Sequence, residues 1–278
     1  MEHPAIYIHV GLGRTGSTFL QYRVFPKFRG IRYIQRTRFR RAKKIIGRGG
    51  HDRYLVSGEM DGKKLDMHMA DFSRPYRHAR PIIIFRRHDE WAASQFRRYI
   101  KNGHPWHFRD FFDVEQDRGF WKREQLFYFQ NIVYLEKYFT YKPLVLFYDD
   151  LKKDPRAFVK RIADYCGAEL DTGRIDFAPK HASYSEKQLR AVYTLGKKTN
   201  LVKRKPFTSK TLNVIAQLWT NLKRYSIIYL ARFMPVGWFS ADPIFPAPEQ
   251  LSAIREYYNE DWETCVAYAE KNNPDKPE

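Results

Sequence analysis

The sequence predicts a three-layer α/β fold, in which a mostly parallel central sheet carries helices on both faces and a helical part follows. Three observations predict it. Short apolar runs of strand length alternate with longer amphipathic segments up to about residue 180, a glycine-rich turn follows the first run, and the strand pattern fades after that point. Alternating strands and helices are typical of parallel sheets, because crossover helices join the strands.

The predicted strands are Ala5–Val10, Tyr54–Ser57, Pro81–Phe85 and Leu144–Tyr148. Pro81–Phe85 is the clearest of them, since a strand buried on both faces is apolar throughout. Helices are predicted at Ser17–Phe25, within Arg23–Arg53, and at Glu90–Lys101, Gly119–Phe139, Pro155–Cys166, Tyr184–Lys198, Lys210–Phe233 and Ala247–Lys271. The sequence has no internal repeat or linker, so we expect a single domain over residues 1–278, with a helical C-terminal part at about 180–271 and a frayed tail at 272–278.

The chain is strongly basic, with 50 Lys and Arg against 31 Asp and Glu and a formal net charge of +19. Such an excess favours an anionic partner, and residues 23–53 and 180–224 hold the densest basic segments. Cys166 and Cys265 lie far apart and form no CxxC pair, which favours a reducing compartment and argues against a disulfide framework or a zinc site.

No signal peptide and no apolar run of membrane-spanning length is present in the sequence, so we expect a cytoplasmic protein. The closest approach to a membrane segment is Ser226–Phe239, which Arg232 and Pro235 interrupt. An apolar, aromatic stretch beside basic segments indicates peripheral contact with an anionic membrane, at the inner membrane face.

The strongest local signal is the segment HVGLGRTGSTFLQ, residues 9–21, where a strand enters a glycine turn that begins a helix. This geometry directs backbone N–H groups at an anion, so the fold is expected to be P-loop-like. Gly11 and Gly16 have the Walker A spacing, but Ser17 stands where a nucleotide triphosphatase has lysine. The candidate phosphate-binding residues are Gly11, Gly13, Arg14, Thr15, Gly16, Ser17 and Thr18.

A second signal is the segment PIIIFRRHDEWAAS, in which Arg86 follows a buried strand and Ser94 lies eight residues later on a predicted helix. Side chains at a strand's carboxyl end and on the following helix can converge on one anion. Arg86 and Ser94 are therefore candidates for a second phosphate site.

These motifs together resemble those of sulfotransferases that use 3′-phosphoadenosine 5′-phosphosulfate (PAPS). The glycine turn resembles their 5′-phosphosulfate loop, with Arg14 at the usual lysine position, and Arg86 and Ser94 match the pair that holds the 3′-phosphate. FRRHDEWAAS is similar to bacterial polysaccharide sulfotransferases. The segments 144–167 and 248–269 resemble the family's strand with its acidic turn and its final helix. The resemblance implies a PAPS donor, a saccharide or other acidic acceptor, and no metal.

The resemblance also suggests a catalytic base, since bacterial relatives often carry Ser-Ser-Glu after the second strand. Glu59 in YLVSGEMDG matches that glutamate, with Gly58 in place of the second serine. Asp61 and His51 are alternatives. Arg14 is expected to stabilise charge on the leaving phosphate. His181 stands where the family usually has asparagine.

Two other functions compete with this prediction. A P-loop phosphotransferase would share the strand, turn and helix, but the Walker lysine is missing and Asp149-Asp150 are the only candidate Walker B acids. A non-catalytic binder of nucleic acid or of an anionic membrane would explain the charge, but the sequence contains no known nucleic-acid motif and the glycine turn would be unexplained. The aromatics at 106, 108, 111, 112, 121, 128 and 129 either stack on sugar rings or form core.

Overall fold

A computed structural model describes residues 3–60, 62–178, 184–202, 207–239 and 242–274, without the side chains of residues 62–64. Its described residues form two compact units. The first falls within Met1–Trp91, Glu124–Ala178 and Arg255–Glu278, and the second within Ala92–Arg123 and Pro179–Ile254. The single-domain expectation stays a prediction.

In the first unit, strands form a wholly parallel sheet in the order β2-β3-β1-β4-β5. They are β1 (Ala5–Gly11), β2 (Arg32–Ile34), β3 (Arg53–Glu59), β4 (Arg80–Phe85) and β5 (Leu144–Phe147). The predicted α/β class with a parallel sheet is therefore confirmed. The short edge strand β2 was not predicted, because three residues that include an exposed arginine give no apolar pattern.

The α-helices of the described residues are, in chain order, α1 (Ser17–Phe19), α2 (Ala42–Gly47), α3 (Gly62–Ser73), α4 (His88–Lys101), α5 (Phe108–Phe111), α6 (Tyr128–Tyr138), α7 (Tyr148–Lys153), α8 (Pro155–Tyr165), α9 (Glu186–Lys198), α10 (Lys210–Leu230), α11 (Pro248–Tyr257) and α12 (Asn259–Asn272). After α1 the chain continues through a wider π-helical turn, Leu20–Val24, and a 3₁₀ turn, Phe25–Lys27.

Side chains alternate between two hydrophobic clusters along each strand, so the sheet of the first unit is covered on both faces. Ile6, Ile8 and Val10 pack with residues of α2, α3, α6 and α12. Tyr7 on the same strand packs with Leu20 and with residues of α8 on the other face. The expected three layers are therefore present within this unit.

The predicted helix Gly119–Phe139 starts too early, because α6 begins only at Tyr128, after a 3₁₀ turn, although its end agrees with the prediction to one residue. The carboxylate of Asp261, on α12, accepts the backbone N–H groups of Tyr128 at 2.8 Å and Phe129 at 3.1 Å. A carboxylate there satisfies amides that the first turn leaves unpaired. The predicted final helix is likewise two helices, α11 and α12, which meet at Tyr258.

In the second unit, aromatic side chains form much of the buried interior. Phe108, Phe111, Phe112 and Trp121 are all buried, as is Tyr128 in the first unit, so these rings cannot stack on a bound sugar. The sugar-stacking interpretation is therefore wrong for these five. Trp106 is only partly buried, and its ring stacks on that of Tyr99 with centroids 5.4 Å apart.

Candidate active site

Three candidate site segments meet at the carboxyl edge of the sheet. Gly11, the last residue of β1, pairs with Glu59 on one side and with Ile84 on the other. Arg86 directly follows β4. The loop after β1, Glu59 and Arg86 therefore lie at one edge, which is where α/β sheets form ligand crevices.

The loop after β1 is held open by backbone conformation and by its own hydrogen bonds. Arg14 has φ 74° and Gly16 has φ 83°, both in the left-handed region. The buried Thr15 hydroxyl donates to the carbonyl of Leu12 at 2.7 Å, and the Ser17 hydroxyl lies 3.4 Å from the same carbonyl. These two hydroxyls therefore shape the loop, rather than pointing out of it.

The groups that the loop presents outward are the side chains of Arg14 and Thr18, both exposed, and the first amides of the helix. Amides of a first helical turn have no partner within the helix, so they can donate to an anion. A Cβ on Gly11 would collide with the Ser17 hydroxyl, so glycine allows the helix to begin close to the strand end.

Arg86 lies against this loop. Its Nη1 donates to the carbonyl of Arg14 at 3.4 Å, its Nε donates to Glu90 at 3.1 Å, and its guanidinium lies 4.6 Å from the ring centroid of Tyr148. Glu90 in turn accepts from Lys152 at 3.1 Å. Bonds to the carboxylate and stacking on the ring fix the guanidinium, while its cationic charge remains near the loop.

Two supports of the loop were missed in the sequence. The indole N–H of Trp91 donates to the carbonyl of Gly13 at 2.9 Å. Tyr148 and Leu151, on α7, lie where a Cβ on Gly16 would fall, with Leu151 Cδ2 only 2.5 Å from that position. The Tyr-Asp-Asp-Leu run was a usable signal, since it follows a strand and matched the family's acidic turn.

Glu59 is engaged by a partner that the sequence did not indicate. Its carboxylate forms an ion pair with Arg36, from the 3₁₀ turn after β2, and its side chain is 18% exposed. Gly58 is explained by crowding, because a Cβ there would meet Met60 at 2.5 Å and the ring of Phe39 at 3.4 Å. The carboxylate is thus held at the edge and is still accessible.

The other base candidates are placed differently. His51 precedes β3, so it lies at the opposite edge of the sheet from Glu59, about 20 Å away along the strand. Asp61 and His181 lie outside the described residues. Of the base candidates among the described residues, His51 and Glu59, it is Glu59 that lies beside the loop.

A buried polar network lies on the sheet beneath the loop. His9 Nδ1 and the Ser57 hydroxyl are 2.9 Å apart, and the Gln21 side-chain amide donates to the same hydroxyl at 2.9 Å. Burial lowers the pKa of His9 to about 4, so the ring is neutral at pH 7.

Ser94 lies on α4, in the second unit, and is buried. Its pairing with Arg86 on a 3′-phosphate stays a prediction. Among the described residues, no three His, Cys, Asp or Glu side chains gather into a metal-binding group, and the expectation of a metal-free reaction likewise stays a prediction. No helix of these residues combines the length and the apolar character needed to cross a bilayer.

Comparison with known proteins gives a family for part of the chain. Residues 92–213 match the family model described as "Sulfotransferase domain". No curated protein matches the chain. One matching solved structure is a sulfotransferase from Alicyclobacillus acidocaldarius, with 14% identity and a TM-score of 0.49 over 70% of this chain and 93% of that chain.

The family match includes Ser94 and begins after the glycine loop, Glu59 and Arg86, so those three features are observed independently of it. Their roles stay predictions. The likeness to sulfotransferase domains covers residues 92–213, which is less than half of the 278-residue chain.

Proposed function

We propose that this enzyme transfers the sulfuryl group of PAPS to a hydroxyl of a saccharide or glycolipid, in line, with a carboxylate base and without a metal. One observation carries the proposal. A phosphate-type loop and an accessible carboxylate, Glu59, end neighbouring strands in register, and Arg86 contacts the same loop. The candidate anion loop and the candidate base are thus adjacent, which supports sulfuryl transfer to a hydroxyl.

The loop suits the 5′-phosphosulfate end of the donor. The backbone amides of Gly13 to Thr18 and the exposed Thr18 hydroxyl would hold the phosphosulfate, and the exposed Arg14 would neutralise charge on the leaving phosphate. Arg86, fixed by Glu90 and Tyr148, would bind the 3′-phosphate with Ser94. The site lacks a Walker lysine, which argues against triphosphate hydrolysis.

Glu59 would accept the proton of the acceptor hydroxyl as the new S–O bond forms. Arg36 would hold the Glu59 carboxylate in position, and an ionised carboxylate is the form that can accept a proton. In this proposal a base would follow one strand, and a cation for the leaving group would follow its neighbour in the sheet.

A saccharide acceptor is supported by the similarity of the Arg86 segment to polysaccharide sulfotransferases and by the net charge of +19, which attracts acidic polymers. Trp106, partly exposed and stacked on Tyr99, would serve as a platform for a sugar ring. Incubation of labelled donor with a panel of polysaccharides, lipopolysaccharide and glycolipids, followed by product analysis, tests this class directly.

The donor assignment is tested by calorimetry with 3′-phosphoadenosine 5′-phosphate, AMP and ADP. We expect a preference for the 3′-phosphorylated nucleotide, and Arg86→Ala should remove most of it because a charge-assisted bond is lost. Arg80→Ala is the matched control, since Arg80 begins β4 and lies at the opposite edge of the sheet. Equal affinity for all three nucleotides would contradict the assignment.

The competing functions give different ligand responses. Thermal shift with 3′-phosphoadenosine 5′-phosphate, with ATP and magnesium, and with a short oligonucleotide should show stabilisation by the first alone. Stabilisation by ATP alone would favour a phosphotransferase, and stabilisation by the oligonucleotide alone would favour a nucleic-acid binder.

A further inference from the structure

The second unit carries a large apolar surface on α10 and the segment that follows it. Many of its large hydrophobic side chains are exposed; Leu218 is 61%, Trp219 60% and Phe233 87% exposed. We call the following set the α10 surface: Leu212, Val214, Ile215, Leu218, Trp219, Leu222, Tyr225, Tyr229, Leu230, Phe233, Val236 and Trp238. Contiguous apolar patches of this extent mark interaction sites, because isolated soluble proteins rarely expose them.

Over its first four turns, α10 turns its polar side chains toward the unit and its apolar side chains outward. Asn213, Gln217, Thr220 and Asn221 are less exposed than the leucines between them, and Arg224 is buried. Arg224 donates to the carbonyl of Asn102 at 2.8 Å, and burial lowers its pKa. A helix packed on a globular core normally turns its apolar stripe inward. Here the apolar stripe faces away from the unit that carries it.

The inverted helix is anchored at its C-terminal end. Ile228 packs into a cluster with Val192 and Leu201, and its carbonyl accepts from the Gln188 side chain at 3.0 Å. Lys187 donates to the carbonyl of Arg232 at 3.1 Å. The orientation of the helix about its axis is therefore fixed by contacts, and the outward apolar face follows from them.

The charged residues within this segment are all of one sign. Residues 207–239 contain no Asp or Glu, while Lys210, Lys223 and Arg232 are exposed. The surface is also rich in Trp and Tyr, whose rings prefer the boundary between water and lipid. Apolar, aromatic and cationic side chains on one face are typical of a helix that lies in the plane of an anionic membrane.

A second copy of the chain fits this surface less well. A two-fold interface places the same patch on both partners. The interface would then contain two copies each of Lys210, Lys223 and Arg232, and residues 207–239 offer no acid to neutralise them. Anionic headgroups would neutralise all three and leave the apolar side chains to the acyl region.

We propose that the α10 surface docks this enzyme on an anionic lipid bilayer, with the helix parallel to the membrane plane. α10 has 21 residues and is about 32 Å long, but it lies on the membrane and does not cross it. The sequence indicated the shorter stretch Ser226–Phe239. The structure adds the preceding helix to this surface. A hydrophobic pattern normally marks the buried side of a helix, so the sequence could not show that the apolar side of α10 faces outward.

The test is co-sedimentation of the full chain with vesicles of phosphatidylcholine alone and of phosphatidylcholine with phosphatidylglycerol, at low and at physiological salt. We expect binding to the anionic vesicles, weakened by salt because headgroup contacts are screened. The triple variant Leu218→Ser/Trp219→Ser/Leu222→Ser should weaken vesicle binding by about tenfold or more. It removes three exposed apolar side chains that would insert into the bilayer. The control, Met67→Ser/Val133→Ser, removes exposed apolar side chains of the first unit and should bind like the wild type.

Fluorescence quenching on the unaltered protein tests the proposal even if the triple variant fails to fold. Trp219 and Trp238 are exposed, so brominated lipids should quench part of the tryptophan fluorescence on binding. No binding and no quenching with anionic vesicles at low salt would overturn the proposal. So would a dimer, detected by light scattering, that the triple variant converts to monomer while vesicle binding is unchanged.

Discussion

Replacing His9, which lies beneath the glycine loop, by asparagine should make the free energy of unfolding depend less on pH. His9 is fully buried, and burial lowers its pKa to about 4 from an ordinary value of 6.5. Between these values the unfolded chain binds a proton at this position and the folded chain does not. The free energy of unfolding therefore falls as the pH falls through this window.

The magnitude follows from the two pKa values. The loss in the free energy of unfolding reaches about 3 kcal/mol once the pH lies below both values, and about 2 kcal/mol of this loss occurs between pH 7.5 and pH 5. Asparagine keeps a polar side chain at this position, but it does not titrate. It leaves a cavity that lowers stability by a similar amount at every pH.

The assay is urea unfolding, followed by fluorescence, at pH 7.5, 6.5, 5.5 and 5. The measured quantity is the difference in pH dependence between wild type and His9→Asn, since other groups titrate in both. Val10→Ala, on the same strand, is the control for a cavity without a titrating group and should keep the wild-type pH dependence. If His9→Asn lost stability toward pH 5 as steeply as the wild type, the reasoning would be refuted.

The remaining predictions concern the loop and its base. Glu59→Gln should slow transfer by roughly 10²–10⁴-fold with little change in nucleotide affinity, because it removes a base that acts in the transition state; near-normal turnover would exclude that role. Arg36→Ala should lower turnover with little change in nucleotide affinity, because Glu59 loses the ion-pair partner that holds its carboxylate in position; unchanged turnover would show that Arg36 does not act through Glu59. Gly16→Ala should lower thermal stability more than Gly30→Ala, because both glycines have positive φ but only the Cβ at Gly16 meets a neighbour, Leu151; equal losses would mean that the contact has no cost.

The sequence predicted that the candidate site residues lie at one edge of the sheet, but it did not predict the contacts between them. The glycine turn, Glu59 and Arg86 each follow a recognisable strand, and parallel strands place their carboxyl ends together, so their convergence followed from local patterns. The partners Arg36, Trp91 and Tyr148 were not identified. Their contacts join segments that lie far apart in the chain, and no spacing rule connects such segments.

The predicted helix boundaries were wrong where contacts with distant residues determine the start of the helix. Gly119–Phe139 has the composition of an amphipathic helix, yet α6 starts at Tyr128, where the carboxylate of Asp261 caps the first amides from 133 residues away. A cap supplied by another part of the chain leaves no signature in the segment itself. Gly119 is also tightly packed, since a Cβ there would lie 2.8 Å from the backbone of Phe112.

By itself the sequence determined the α/β class, the position of the glycine loop and the basic character of this protein, because hydrophobic periodicity, glycine spacing and charge are local properties. Tertiary structure decided which side of α10 faces outward, since the buried contact of Arg224 with Asn102 and the anchor at Ile228 orient the helix against its hydrophobic pattern. It also decided that Glu59 pairs with Arg36 and that His9 stays neutral. Ion pairs and desolvation depend on what surrounds a group in space, and only the folded chain sets those surroundings.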